Sequence, residues 1–341
     1  MPSTMLAAVF RGPGELKLEQ MPVPQVSGAD EVLLKVLGAS ICGTDLHILA
    51  DPPGHPATLG TILGHEYVAE VVESGGGVHH VRSGDHVVID ANLYCGTCDY
   101  CLMGRRNLCT NMSTLGIFRH GGFATYNVAP AANVYPISRE TPLEQAIFAE
   151  PLSCVMNAVE QAHVVPGDSV AIFGAGPIGL LFQLLMKTSG AGKVVMVEPS
   201  APRRQVATKM GADAVVDPTT QDPGKAIRDF TRIGADIVID AVGSQLAPCI
   251  DAARRGGRII LFGSNSNAKP PIQQYWITRH ELTVCGSYIS RHTFPQVVKL
   301  LESGRLPLPQ LITHDMGLSR IGEGLAALKK GDAIEVILRP E

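Results

Sequence analysis

Apolar positions in the first 140 residues fall into short runs at 5–10, 15–19, 31–37, 67–73, 85–90 and 123–128. Turn signals such as GPG, SGGG and RSGD separate them, which is the punctuation of strands. The pattern predicts an all-β, barrel-like lobe with irregular excursions. After about residue 152 the texture changes. Apolar, β-branched runs at 169–173, 193–197, 214–216, 236–240, 258–262 and 282–286 follow one another, several of them separated by helical stretches rich in Ala, Leu and Lys. Strands covered on both faces read as unbroken apolar runs, so this alternation predicts βαβ units in a doubly wound parallel sheet of six strands. From about residue 290 the pattern becomes a helix near 294–303, a Pro-containing loop, a helix near 319–330 and a terminal strand at 333–338. We expect this tail to rejoin the first lobe. The expected domains are therefore 1–152 with 290–341, and 153–289.

One stretch, 170–186, runs without a charge. Three glycines and a proline in its first ten residues make it a buried strand, a tight turn and a buried helix rather than a membrane span. A length of 341 residues suits two domains, and 45% hydrophobic with 18% charged residues is the balance of an ordinary globular chain. A net charge of −4 and a pI near 6.3 leave no basic field for nucleic acid or an anionic membrane. The apolar stretch 5–10 is too short for a secretory signal and lacks a basic flank. We expect a cytoplasmic chain with neither nucleic acid nor membrane as partner.

Four of the eight cysteines crowd into fifteen positions, CGTCDYCLMGRRNLC. Cys95, Cys98, Cys101 and Cys109 can close a tetrahedron of thiolates around one ion, as in a structural zinc site with no open position. Two disulfides or a redox pair are the alternatives. Cys42, Cys154, Cys249 and Cys285 are scattered singly, which argues against a disulfide framework.

VAIFGAGPIGLL places Gly174, Gly176 and Gly179 as G-x-G-x-x-G between an apolar strand and an apolar helix, with Pro177 and Ile178 in the turn. The first glycine permits the turn, the second lets a pyrophosphate approach the backbone, and the third allows helix and strand to pack closely. Glu198 ends the next strand, nineteen residues after Gly179, where a carboxylate accepts hydrogen bonds from ribose hydroxyls. Such a carboxylate repels a 2′-phosphate, which favours NAD over NADP. Arg203 and Arg204 follow closely and keep NADP open, Arg203 also as a partner for the adenosine end. A tight turn without a ligand is the bland alternative.

Cys42, His65 and Glu150 offer sulfur, nitrogen and oxygen donors, but 23 and 85 residues separate them and spacing alone does not join them. The combination of CGTDLH, GHE, the four-cysteine loop, AEPL and GAGPIG resembles zinc-containing medium-chain alcohol dehydrogenases. Within that family it looks most similar to the polyol branch of sorbitol and xylitol dehydrogenases, with likeness also to butanediol and threonine dehydrogenases. The resemblance spans essentially the whole chain. It implies a GroES-like β-barrel catalytic domain beside a Rossmann domain, an overall α/β fold. It implies catalytic zinc on Cys42, His65 and Glu150, with Glu66 as a neighbouring carboxylate that coordinates transiently, and structural zinc on the four clustered cysteines. It implies a proton relay through Thr44 and His47, and transfer of a hydride from a secondary alcohol to NAD. Asp45 is expected to orient a ligand. Cys154, four residues after Glu150, reads as core, and His79 with His80 as a solvated loop.

Two departures bear on substrate. Ile48 and Ile289–Ser290 stand where animal sorbitol dehydrogenases carry an aromatic residue and an Arg-Tyr pair, which weakens the expectation of specific recognition of a long polyol. Phe118, His120 and Tyr288 are candidate pocket residues. The expected substrate is a polyol, sugar alcohol or vicinal diol, with L-threonine or a simple secondary alcohol as the runner-up. A catalytically silent cofactor binder is the alternative from another class. By the same resemblance the expected assembly is a homotetramer, with a homodimer second.

Overall fold

The computed structural model describes residues 2–341. Its contacts separate into two compact units, one formed by the residues up to Ser153 with Arg291–Glu341, the other by Cys154–Ser290.

The first unit is built on strands that pair antiparallel, except Ile312–Gly317 with Glu335–Arg339, which run parallel. A hairpin pairs Thr4–Gly12 with Glu15–Pro22 in a register that sets Phe10 against Leu16. A seven-stranded sheet follows the order Ile312–Gly317, Glu335–Arg339, Glu31–Ser40, Glu66–Ser74, His86–Ile89 and Val134–Ile137, with Tyr126–Pro130 joined to Glu31–Ser40. The C-terminal strand Glu335–Arg339 thus lies beside a strand some three hundred positions earlier. Val9, Leu33, Leu34, Ile48, Ile62, Leu63, Ile89, Phe123 and Val336 fill the core, each almost wholly excluded from water. At roughly 25 cal/mol per Å² of buried apolar surface, burial on this scale is the main stabilising term of the lobe.

The run at 123–128 is only partly a strand of this sheet. The Ala8 N–H donates to the Phe123 carbonyl and the Phe123 N–H to that of Leu63, and Ala7 bridges Ala124. Residues 123 and 124 therefore pair with the hairpin and the 62–64 segment, and the ladder with Glu31–Ser40 begins at Tyr126. Periodicity detected an extended segment but could not say that it changes partners midway.

The second unit is a six-stranded parallel sheet ordered Ala214–Val216, Lys193–Val197, Ser169–Phe173, Ala235–Asp240, Ala253–Leu261, Thr283–Gly286. In chain order this is third, second, first, fourth, fifth, sixth, the doubly wound arrangement anticipated from the sequence. Val170, Ala171, Ile172, Ile237, Val238 and Ile239 are fully buried, as strands covered on both faces must be. The uncharged run 170–186 resolves into the strand Ser169–Phe173, a turn and the helix Pro177–Thr188. No helix among the described residues is long and apolar enough to cross a membrane. Strand order reverses between the first and fourth strands, and ligands of such sheets bind at the carboxyl ends of the strands there.

Candidate metal and cofactor sites

Strand pairing assembles the first cluster. Ser40 lies opposite Glu66 in the antiparallel ladder, so Cys42, just past the end of one strand, meets His65, just before the start of the next. Cys42 caps the short helix Gly43–Ile48, and the Asp45 carboxylate accepts the Cys42 N–H at 3.0 Å, which holds the ligand's backbone. Ligand atoms of Cys42, His65 and Glu66 lie within 4.8 Å of one another. Asp45 is fully buried, and one of its oxygens stands 3.8 Å from His65 Nδ1, close enough to bias the ring's orientation. Thr44 Oγ1 is 3.7 Å from Cys42 Sγ. Thr44 is half-buried on this helix while His47 is exposed.

Glu150 sits in the first turn of the helix Ala149–Ala162 and is buried, and it lies outside the set of three donors, Cys42, His65 and Glu66, that stand within 4.8 Å of one another. Its charge nevertheless reaches the cluster. Burial, then Glu66, Asp45 and Glu150, push the Cys42 thiol far up. Burial pulls His65 down, yet Asp45, Glu66 and Glu150 leave it raised. A half-buried thiol and a buried imidazole among three carboxylates form a pocket of negative potential that a cation would relieve. The mixed sulfur, nitrogen and oxygen donors fit zinc.

The second cluster is the four cysteines, whose sulfurs also lie within 4.8 Å of one another. Backbone N–H groups of Cys98, Asn111 and Cys95 point at these sulfurs at 3.4 Å, the first at Cys95 and the other two at Cys109. Such donors favour thiolate: backbone N–H groups of Thr97 and Cys98, then Cys109, bring Cys95 down to about 5. Desolvation and the neighbouring thiols of Cys98, Cys109 and Cys95 push Cys101 up to about 12. The arrangement fits a tetrahedral ion of the structural kind, with every position filled by protein.

In the second unit the three glycines divide their tasks as their positions require. Gly174 has φ +100°, a left-handed value that glycine alone adopts freely, and a Cβ on Gly179 would stand 1.9 Å from the Gly174 carbonyl oxygen. A Cβ on Gly176 would meet only Arg203 Nη1, at 4.0 Å. The helix Pro177–Thr188 starts there, leaving backbone N–H groups and the positive end of its dipole toward open space. Glu198 is buried, and its two oxygens accept the Ala175 N–H at 2.7 Å and the Ser200 N–H at 2.9 Å. Those amides orient the carboxylate and leave it lone pairs for further donors. Arg204 is committed to the Glu198 and Pro199 carbonyls and to Asp217 at 2.8 Å. Arg203 is the arginine that faces the glycine turn.

The family description "Alcohol dehydrogenase GroES-like domain" matches residues 28–139, and "Zinc-binding dehydrogenase" matches residues 177–303. The L-threonine 3-dehydrogenase of Pyrococcus horikoshii is 36% identical over 99% of both chains. The chain belongs to the zinc-binding alcohol dehydrogenase family. D-arabinitol dehydrogenase 1 of Uromyces fabae is 31% identical over 100% of this dehydrogenase and 98% of its own length. Among solved structures, a zinc-binding dehydrogenase from Sinorhizobium meliloti bound to NADP superposes with a TM-score of 0.94 at 30% identity, covering 99% of this chain and 100% of that one. The GroES-like lobe and the Rossmann sheet are those of medium-chain dehydrogenases, as the motifs implied, and the chain is an alcohol or polyol dehydrogenase whose two donor clusters suit catalytic and structural zinc.

Sequence reading missed two residues of this dehydrogenase's metal lobe. Ser40 donates to Glu66 Oε2 at 2.5 Å, and Glu335, also buried, lies against the same serine. A lone carboxylate in the apolar terminal run AIEVIL was the available signal, since a charge within a buried strand needs a reason.

Proposed function

We propose that this dehydrogenase moves a hydride from a secondary hydroxyl of a polyol, sugar alcohol or vicinal diol to NAD. The carrying observation is the convergence of half-buried Cys42 with buried His65 and Glu66 beside the helix that bears Thr44 and His47. Zinc held by Cys42, His65 and Glu150, with Glu66 beside them, would supply a Lewis acid that brings a hydroxyl pKa down toward neutrality, as it brings that of water to about 7. The chain's own residues do the rest. Asp45 steadies both Cys42 and His65 from behind. Thr44 takes the hydroxyl proton inside, and His47 passes it to solvent, a task that suits an imidazole near neutral pH. Glu198, aimed by two backbone amides, receives the adenosine ribose hydroxyls, and its charge disfavours a 2′-phosphate. NAD is therefore the proposed cofactor. Arg203 beside Gly176 is the group through which NADP would be held instead.

L-threonine is the second reading, favoured by the 36% identity to a threonine dehydrogenase. Both substrates present a secondary hydroxyl, so the site described serves either. Nicotinamide reduction followed by absorbance, across short polyols, sugar alcohols, vicinal diols and L-threonine, decides between them. Selective turnover of a polyol or diol is the expected result, and turnover of L-threonine alone overturns it.

We further propose a cytoplasmic homotetramer, with a dimer as the smaller alternative. Thr283–Gly286 ends the parallel sheet, and Tyr275, Trp276 and Tyr288 in the same stretch of chain are 61%, 40% and 51% exposed. An uncovered edge with aromatic neighbours suits a two-fold contact. Light scattering that returns one protomer mass would refute this.

A further inference from the structure

Two neighbouring strands of the parallel sheet end side by side at Glu198. Val197 is registered against Val216, and the Glu198 N–H donates to the Val216 carbonyl at 3.0 Å, so Glu198 and Asp217 leave the sheet together. The helix Ala201–Lys209 carries Arg203 and Arg204 near its start. The two guanidiniums are placed differently. Arg203 faces the glycine turn, its Nη1 4.0 Å from where a Gly176 Cβ would stand. Arg204 Nη1 donates to the Glu198 carbonyl at 2.9 Å and to the Pro199 carbonyl at 2.6 Å, while Nη2 meets Asp217 Oδ2 at 2.8 Å. Both side chains of that ion pair are only 19% exposed, so water screens it less than an open surface pair. Asp217 is itself fixed, because its other oxygen accepts the Thr219 N–H at 2.9 Å and the Thr219 hydroxyl at 2.6 Å.

We infer that Asp217 is a positioning residue for cofactor choice: it holds Arg204 against the backbone of Glu198 and Pro199, and so withholds a second guanidinium from the cofactor's ribose. A nearby arginine is what accommodates a 2′-phosphate in this kind of fold, through charge-assisted bonds from its fork of donors. Arg204 is seated on the carbonyl of the very residue proposed to receive the ribose, yet its donors are engaged by protein. Glu198 disfavours the phosphate by its own charge. Asp217 acts through Arg204, by giving the guanidinium a better-paired place to be. Without that carboxylate the two neutral carbonyls compete poorly with a doubly charged phosphate for the same donors. The inference rests on the reading of NAD as cofactor, with Glu198 as its ribose acceptor.

The test compares wild type, Asp217→Asn, Arg204→Gln and the double variant as zinc-loaded holoenzymes. Dissociation constants for NADPH and NADH are measured by nicotinamide fluorescence, with the thermal midpoint recorded alongside. Asp217→Asn keeps an acceptor for Thr219 and loses the charge that holds Arg204. NADPH should then bind roughly tenfold tighter, the weight of a hydrogen bond between charged groups, with NADH within about twofold of wild type. Arg204→Gln alone should leave the NADPH-to-NADH ratio near that of wild type, because a guanidinium engaged by protein meets no phosphate. In the double variant the NADPH gain should fall to within about threefold of wild type, since it belongs to Arg204. An unchanged ratio in Asp217→Asn overturns the inference. So does a gain that persists in full in the double variant, which would come from lost charge alone, and so does a tenfold loss of NADPH affinity in Arg204→Gln. If Asp217→Asn does not fold, Asp217→Ser, which keeps a hydroxyl for the Thr219 N–H, is read in the same way. A wild type that binds NADPH more than about tenfold tighter than NADH overturns the NAD reading itself. Absence of coupling between the two substitutions overturns only the inference, so the two failures are distinguishable.

Discussion

Asp90 is 4% exposed, and burial pushes its carboxyl up to about 6 from the usual 3.8, against the pull of the Asn92 N–H and of Arg106. Between those values the native state keeps a proton that the unfolded chain has given up. Its contribution to stability is therefore fully present below about pH 4 and is lost as pH rises through about 6. Asp90→Asn is neutral throughout and keeps an acceptor for the Asn92 N–H. At pH 7 it should be more stable than wild type by roughly 1–3 kcal/mol in denaturant unfolding, with the gap closing toward pH 4. Cys42 makes the opposite case, a residue whose surroundings are tuned for a ligand. Cys42→Ser should lower turnover by roughly 10³-fold or more, since several kcal/mol of transition-state stabilisation is lost. Its thermal midpoint should stay within a few degrees. Activity retained in full would remove Cys42 from the catalytic set.

At the scale of elements, the glycine turn shows how tightly a strand and a helix can be joined. The Gly174 carbonyl occupies the space a Gly179 Cβ would need, at 1.9 Å. Gly179→Ala must therefore push the helix Pro177–Thr188 away from the strand Ser169–Phe173. We expect a loss of more than about 2 kcal/mol in stability, together with at least tenfold weaker NAD binding in a fluorescence titration. Gly176→Ala meets only the far end of Arg203 and should fold normally. Any weakening of NAD in that variant then reports contact with the ligand rather than packing. The strand near residue 123 makes the complementary point. Gly121 and Gly122 press against the Gly64 carbonyl and Tyr67, so the chain there joins the hairpin before it joins the sheet, a division that apolar periodicity does not encode.

At the scale of the whole molecule, the two clusters should respond differently to loss of metal. The four-cysteine loop folds around its own sulfurs, with helices of only three and four residues to support it. Removal of its ion by a strong chelator, or Cys98→Ser, should lower the thermal midpoint by several degrees or more and promote proteolysis within 95–109. The Cys42 cluster is walled by buried strands, and emptying it should abolish turnover at small cost in stability. Equal effects at both places would refute this division of labour.

Much of this was legible in one dimension. The change from short β-runs to strand–helix alternation, the four-cysteine spacing and the glycine turn all act within about fifteen to thirty residues, where pattern and local chemistry suffice. They specify the fold class, a closed thiolate clamp and a dinucleotide turn. What joins Cys42 to His65 and Glu66 is the ladder register of Ser40 with Glu66, and what brings Glu335 to the same serine is pairing with the last strand of the chain. Such contacts depend on which strands become neighbours, a decision made by burial of the whole lobe. Only the tertiary structure could show that a carboxylate near the C-terminus stands behind the metal cluster.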